Sequence, residues 1–77
     1  MPEVHVYMAS GRTPEQKRAM MAAVTDALVT HLECSPAVVT VQIIEAAWTE
    51  KMKGGQTFEE RYADATPAGY RAVQAPE

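Results

Sequence analysis

One residue near the start of this 77-residue chain could do acid–base chemistry: Pro2, directly after Met1. Removal of Met1, expected where a small residue follows it, turns Pro2 into a free secondary amine on a rigid ring. An α-amino group titrates near about 7.7–8.0, and an apolar pocket lowers that value by disfavouring the charged form. A neutral amine at pH 7 is a general base. With Met1 retained, the same nitrogen is a tertiary amide and has no basicity. A proline can also stand at a strand start for backbone reasons alone, because the first strand residue needs no ladder bond from its N–H. Arg12, within Gly11-Arg12-Thr13, stands beside the capped N-terminus of the helix that follows. The plainer reading of Arg12 is a surface arginine beside a turn.

Other reactive residue types form no competing constellation. Cys34 is the only cysteine, so an intrachain disulfide is impossible and no Cys/His metal set can be built around it. It reads as a structural thiol. His5 and His31 fall on separate elements and no Ser–His–Asp set suggests itself, so His5 reads as a sheet-face residue. Gly54-Gly55 lacks the spacing and the strand-to-helix setting of a phosphate loop. Trp48 and Phe58 read as packing aromatics in the first instance.

The elements that must position Pro2 and Arg12 follow from periodicity. In residues 1–9, Val4, Val6 and Met8 alternate with Glu3, His5 and Tyr7, the period of a half-buried strand. Gly11 permits a turn, Thr13-x-x-Gln16 is a capping box, and Pro14 suits the first helical position. An amphipathic helix then runs from Pro14 to about Leu32, with Met20, Val24, Ala27, Leu28 and His31 inward and Glu15, Arg18, Thr25 and Asp26 elsewhere. Met20 and Met21 are core filling. Pro36 ends that segment. A second strand is expected over residues 38–45, with Val39, Val41 and Ile43 on one face and Thr40 and Gln42 on the other.

Strand, helix and strand in this order make a βαβ unit, and the lengths agree. Eight strand residues span about 26 Å and nineteen helical residues return about 28 Å. The strands should run parallel through a right-handed crossover. Gly54-Gly55 marks a turn or short hairpin. The fold class is therefore α+β, a βαβ subunit with one long helix and a C-terminal turn or hairpin. Residues 1–62 form the domain, and residues 63–77, which lack a sustained period, a C-terminal extension or arm.

A chain of this size buries only about 60% of its unfolded surface, which is marginal for a lone monomer. Two strands and one helix also leave a sheet face and both edges uncovered, so pairing with copies of itself is expected. An apolar content of 47% argues against disorder, and a net charge of −3 provides no field for nucleic acid. No membrane span and no basic, apolar leader is evident, which reads as a cytoplasmic protein.

Taken together, Pro2 through Tyr7, Gly11 through Lys17, the helix to Leu32, residues 39–45 and the Gly54-Gly55 turn resemble the 4-oxalocrotonate tautomerase family. The resemblance covers residues 2–62 and keeps the family's spacing without gaps. It implies a homo-oligomer, dimer-based with intersubunit sheets and commonly a trimer of dimers, hence a hexamer. It also implies an isomerase that converts a small enol or dienol carboxylic acid to its keto form without metal or organic cofactor. Pro2 would be the catalytic base, and Arg12 the arginine that binds the substrate carboxylate and draws electron density toward it. The family's second arginine falls on Thr40, an uncharged residue, so Lys51 or Lys53 would have to supply any replacement cation. The family's aromatic pocket wall falls near Lys51, leaving Trp48, Met52 or Phe58 as substitutes in substrate binding. Alternatives are a non-catalytic oligomeric module that keeps the fold, or a hydratase, dehalogenase or decarboxylase of the same superfamily. A hydratase would need a carboxylate aimed at water, for which Glu45 and Glu50 are the nearby candidates.

Overall fold

The computed structural model describes residues 2–63. Strand β1 (Glu3–Ala9) is followed by helix α1 (Pro14–Leu32), a tight turn over Pro36–Val38 and strand β2 (Thr40–Ala46). A second tight turn over Trp48–Glu50, a hairpin of β3 (Met52–Lys53) and β4 (Gln56–Thr57), and the one-turn helix α2 (Phe58–Arg61) complete the described chain. β1 pairs with β2, and β3 pairs antiparallel with β4. At one end of the first pair the Thr40 N–H donates to the Pro2 carbonyl at 3.1 Å, and at the other the Ser10 N–H donates to the Ala46 carbonyl at 3.0 Å. Both strands therefore advance in the same direction. This is the parallel βαβ arrangement expected, with α1 as the crossover.

The second strand begins later than its apolar run suggests. Ser35 caps a 3₁₀ turn by accepting the Ala37 N–H on its hydroxyl at 3.2 Å. The N–H groups of Val38 and Val39 then donate to the carbonyls of Ser35 and Pro36, both at 3.2 Å. Val38 and Val39 have strand propensity, but their amides are committed to the turn. Pairing starts at Thr40 and runs to Ala46, one residue beyond the expected end.

Two compact units make up the described chain, residues 2–7 with 14–44 and residues 8–13 with 45–63. In the first, Val4 and Val6 are half-buried between exposed Glu3, His5 and Tyr7, as alternation predicts. Val41, Ile43 and Ile44 are half-buried on β2, whereas Thr40 and Gln42 are exposed. On α1 the half-buried residues fall in two adjacent rows at i, i+4 spacing, Gln16-Met20-Val24-Leu28 and Lys17-Met21-Thr25-Val29. Ala27 and His31, expected to face inward, are exposed because they occupy the next row around the helix. Thr25 takes a half-buried place instead. Its hydroxyl donates to the Met21 carbonyl at 2.9 Å, which satisfies its polar group within the helix. Glu33, just past the helix end, has φ 54°, a left-handed conformation usually given to glycine. No residue of α1 is fully buried in the single chain.

The second unit holds the fully buried apolar residues among those described: Ala9, Trp48 and Tyr62, at 5%, 6% and 7% exposure, with Phe58 packed against them. Tyr62 meets both Trp48 and Phe58 edge-on, each ring pair 5.8 Å between centroids. The double glycine forms the two-residue hairpin turn, with φ 64° at Gly54 and 82° at Gly55, as a type I′ turn requires. Helix α2 opens on a capping box. Thr57 accepts the Glu60 N–H at 3.1 Å, and the Glu60 carboxylate accepts the Thr57 N–H at 2.8 Å. These local devices order a region whose apolar periodicity alone is weak. The segment expected to be an extension lies, from residue 64 onward, outside the described residues, as does Met1. Among the described residues no helix is long and apolar enough to cross a membrane.

Candidate active site

Pro2 stands immediately before β1 and is half-buried. Its own N–H would be absent from any ladder, so its contribution to the sheet is the carbonyl, which accepts from Thr40 at 3.1 Å. Parallel pairing thus sets the first residue of β2 beside Pro2. Thr40 is exposed, on the same side of β2 as Gln42. On the neighbouring strand the outward residues are Glu3 and His5, whose Oε2 and Nε2 atoms lie 2.7 Å apart. His5 is the sheet-face residue expected, engaged with its neighbour along the strand.

Arg12 belongs to the second unit, in the turn that leaves β1. Its predecessor Gly11 has φ 134°, a conformation that L side chains rarely adopt, so the glycine lets the chain bend before the guanidinium is presented. Ser10, one residue earlier, is held from two sides. Its N–H donates to Ala46, and its carbonyl accepts the Trp48 indole N–H at 2.7 Å. Arg12 is half-buried and follows this doubly bonded residue.

The aromatic candidates separate in their surroundings. Trp48 is buried, with its polar N–H used on Ser10. Phe58 is half-buried, and its backbone N–H donates to the Lys51 carbonyl at 2.8 Å. The Lys51 ammonium lies over the Phe58 ring, 5.9 Å from its centroid, a cation–π distance. Met52 is 62% exposed and pairs across the hairpin with Thr57. The structure therefore brings Thr40 to Pro2, and Lys51 to Phe58, while Met52 stands outside the aromatic cluster. Sequence reasoning missed Ser10 and Tyr62. Tyr62 carried no periodic signal, and the role of Ser10 depends on its backbone carbonyl, which no residue type reveals.

The family described as tautomerase enzyme matches residues 2–60, most of the chain and beginning at Pro2. The chain belongs to the tautomerase family. This tautomerase is 54% identical over 65 residues to a probable tautomerase of Bradyrhizobium diazoefficiens, a match covering 84% of this chain and 97% of that protein. Among solved structures, it is similar to a 4-oxalocrotonate tautomerase isozyme from Methylibium petroleiphilum at 38% identity and TM-score 0.77, covering 83% of this chain and all (100%) of that one. It is also similar to a heterohexameric 4-oxalocrotonate tautomerase from Chloroflexus aurantiacus, at 28% identity and TM-score 0.74, covering 78% of this chain and 97% of that chain. The parallel βαβ unit with its C-terminal hairpin is thus a tautomerase fold, and the protein is a tautomerase-like enzyme of the isomerase type.

Proposed function

We propose that this tautomerase interconverts the enol and keto forms of a small enol or dienol carboxylic acid, with Pro2 as general base after Met1 is removed. The observation that carries this reading is the place of Pro2, at the head of β1 and at the first residue of the family match. Its nitrogen accepts the enol hydroxyl proton. The oxygen electron pair closes the C=O bond, the C=C pair moves to the distal carbon, and that carbon takes the proton back from the prolinium. The formula is unchanged, and the base ends as it began.

Arg12 serves the substrate carboxylate, through which electron density is drawn away from the reacting carbons. Pro2 precedes β1 and Arg12 follows it, and a strand of seven residues extends about 23 Å at roughly 3.3 Å each. One small acid is too short to bridge that strand, so the site uses Pro2 of one subunit with Arg12 of another. Self-association fits the exposure of the first unit, where α1 has no fully buried residue within one chain. A dimer-based homo-oligomer of the hexameric kind would cover those rows.

The decisive experiment combines mass analysis of the N-terminus with an enol-to-keto assay of simple 2-hydroxy-dienoates. Chains beginning at Pro2 should be active, and Pro2→Ala should lose roughly 10²–10⁴-fold, the range of general acid–base catalysis. Equal activity in Pro2→Ala, or in a form with Met1 blocked in place, would eliminate Pro2 as the base.

A further inference from the structure

We infer that Trp48 is a positioning residue for Arg12, acting through the Ser10 carbonyl, and not an aromatic wall against the substrate. The inference rests on the reading of Arg12 as the carboxylate ligand. Its basis is a continuous set of contacts within the second unit. The Trp48 indole N–H donates to the Ser10 carbonyl at 2.7 Å, across 38 positions of sequence. The Ser10 N–H is bound to the Ala46 carbonyl at 3.0 Å, so both polar groups of this peptide segment are engaged. Only Gly11, at φ 134°, separates Ser10 from Arg12.

The indole itself is immobilised. At 6% exposure it has no open face of any size to offer a ligand, and Tyr62 meets it edge-on at 5.8 Å. Tyr62 is in turn backed by Phe58, also at 5.8 Å. The aromatic rings therefore back the indole, and its N–H is spent on the segment that leads to Arg12. The carbonyl of Ser10 would otherwise lack this donor, and the glycine after it would give the turn ahead of Arg12 more backbone freedom. Arginine recognition of a carboxylate through two parallel bonds depends on orientation more than on distance alone. Anchoring the residue two positions upstream meets that need.

The variant that isolates the hydrogen bond is Trp48→Phe, which keeps an aromatic ring in the cluster and removes the N–H. It should lower kcat/KM for a carboxylate substrate by roughly tenfold, since misplacement of a binding group by about 1 Å can cost 10²-fold. The same substitution made in Arg12→Ala should change kcat/KM by less than about twofold, because groups acting as one unit are not additive. Equal losses in both backgrounds, or no loss in the parent, would overturn the inference and return Trp48 to a substrate-contact or purely structural role. Amide hydrogen exchange read at Ser10, Gly11 and Arg12 is the second measurement. Trp48→Phe should speed exchange there more than at Val4 or Val6, and unchanged protection of the turn would overturn the anchor. Full activity of Arg12→Ala would instead remove the assignment of Arg12, and the exchange measurement would still decide whether Trp48 holds the turn.

Discussion

The backbone N–H of Thr40 donates to the carbonyl of Pro2 at 3.1 Å, which sets an uncharged side chain beside the proposed base. An arginine at that place would bind a second carboxylate through charge-assisted hydrogen bonds of roughly 1.5–3 kcal/mol each, where threonine has one neutral hydroxyl. The parent protein should therefore prefer a monocarboxylic dienol to its dicarboxylic analogue. Thr40→Arg should raise kcat/KM for the diacid at least about tenfold relative to the monoacid, as a difference of 1.4 kcal/mol implies. Steady-state kinetics on the matched pair of substrates checks this, and an equal response of both acids would place Thr40 away from the carboxylate. Parent preference for the diacid would point to Lys51, over the Phe58 ring, as the cation in its stead.

Subunit mixing tests the shared site. Pro2→Ala and Arg12→Ala proteins, each strongly impaired alone, should regain part of the parent activity after dissociation and joint reassembly, since some sites then combine an intact Pro2 with an intact Arg12. An inert mixture, with subunit exchange verified by native mass spectrometry, would count against a site built from two chains.

Backbone conformation makes a prediction for two glycines with different surroundings. Gly11 at φ 134° and Gly55 at φ 82° both lie where a Cβ is disfavoured, and an ideal Cβ on Gly55 meets nothing within 4 Å. Gly55→Ala should thus cost only the backbone term, about 1–2 kcal/mol, measured as a lowered urea midpoint. Gly11→Ala should lower stability by a comparable amount and, in addition, depress kcat/KM, because it alters the turn ahead of Arg12. A Gly11→Ala protein with parent kinetics would show that the turn does not set the arginine.

The end of α1 predicts a gain. Glu33 adopts φ 54° just past Leu32, at the place where helices commonly carry glycine. Relief of the left-handed penalty of about 1–2 kcal/mol, less about 0.5–1 kcal/mol for the extra freedom of glycine when unfolded, leaves Glu33→Gly more stable by roughly 0.5–1 kcal/mol. Denaturant unfolding monitored by circular dichroism measures it. A lower midpoint in the variant would mean that Glu33 makes a compensating contact.

Much of the fold was legible because its signals are local. Alternation of Val4, Val6 and Met8, the Pro14 start of α1, and the adjacent glycines at 54 and 55 each act through a few neighbouring residues, and each stands where the residues predict it. The candidate base was legible for the same reason, since proline chemistry at position 2 belongs to the residue itself. Local signals also explain the weaker readings. Val38 and Val39 have the propensity of a strand, but the Ser35 cap and Pro36 bind their amides into a turn, a competition that propensity does not rank. Thr57-x-x-Glu60 is a capping box whose residue types stand in the sequence, in a region with little apolar periodicity to draw notice to it. What only the tertiary structure decided are relationships across long separations: which rows of α1 turn inward, and that the Trp48 indole reaches back to Ser10. Each arises when distant segments satisfy backbone groups or exclude water together, and a residue's type carries no record of the partner that chain closure will bring to it.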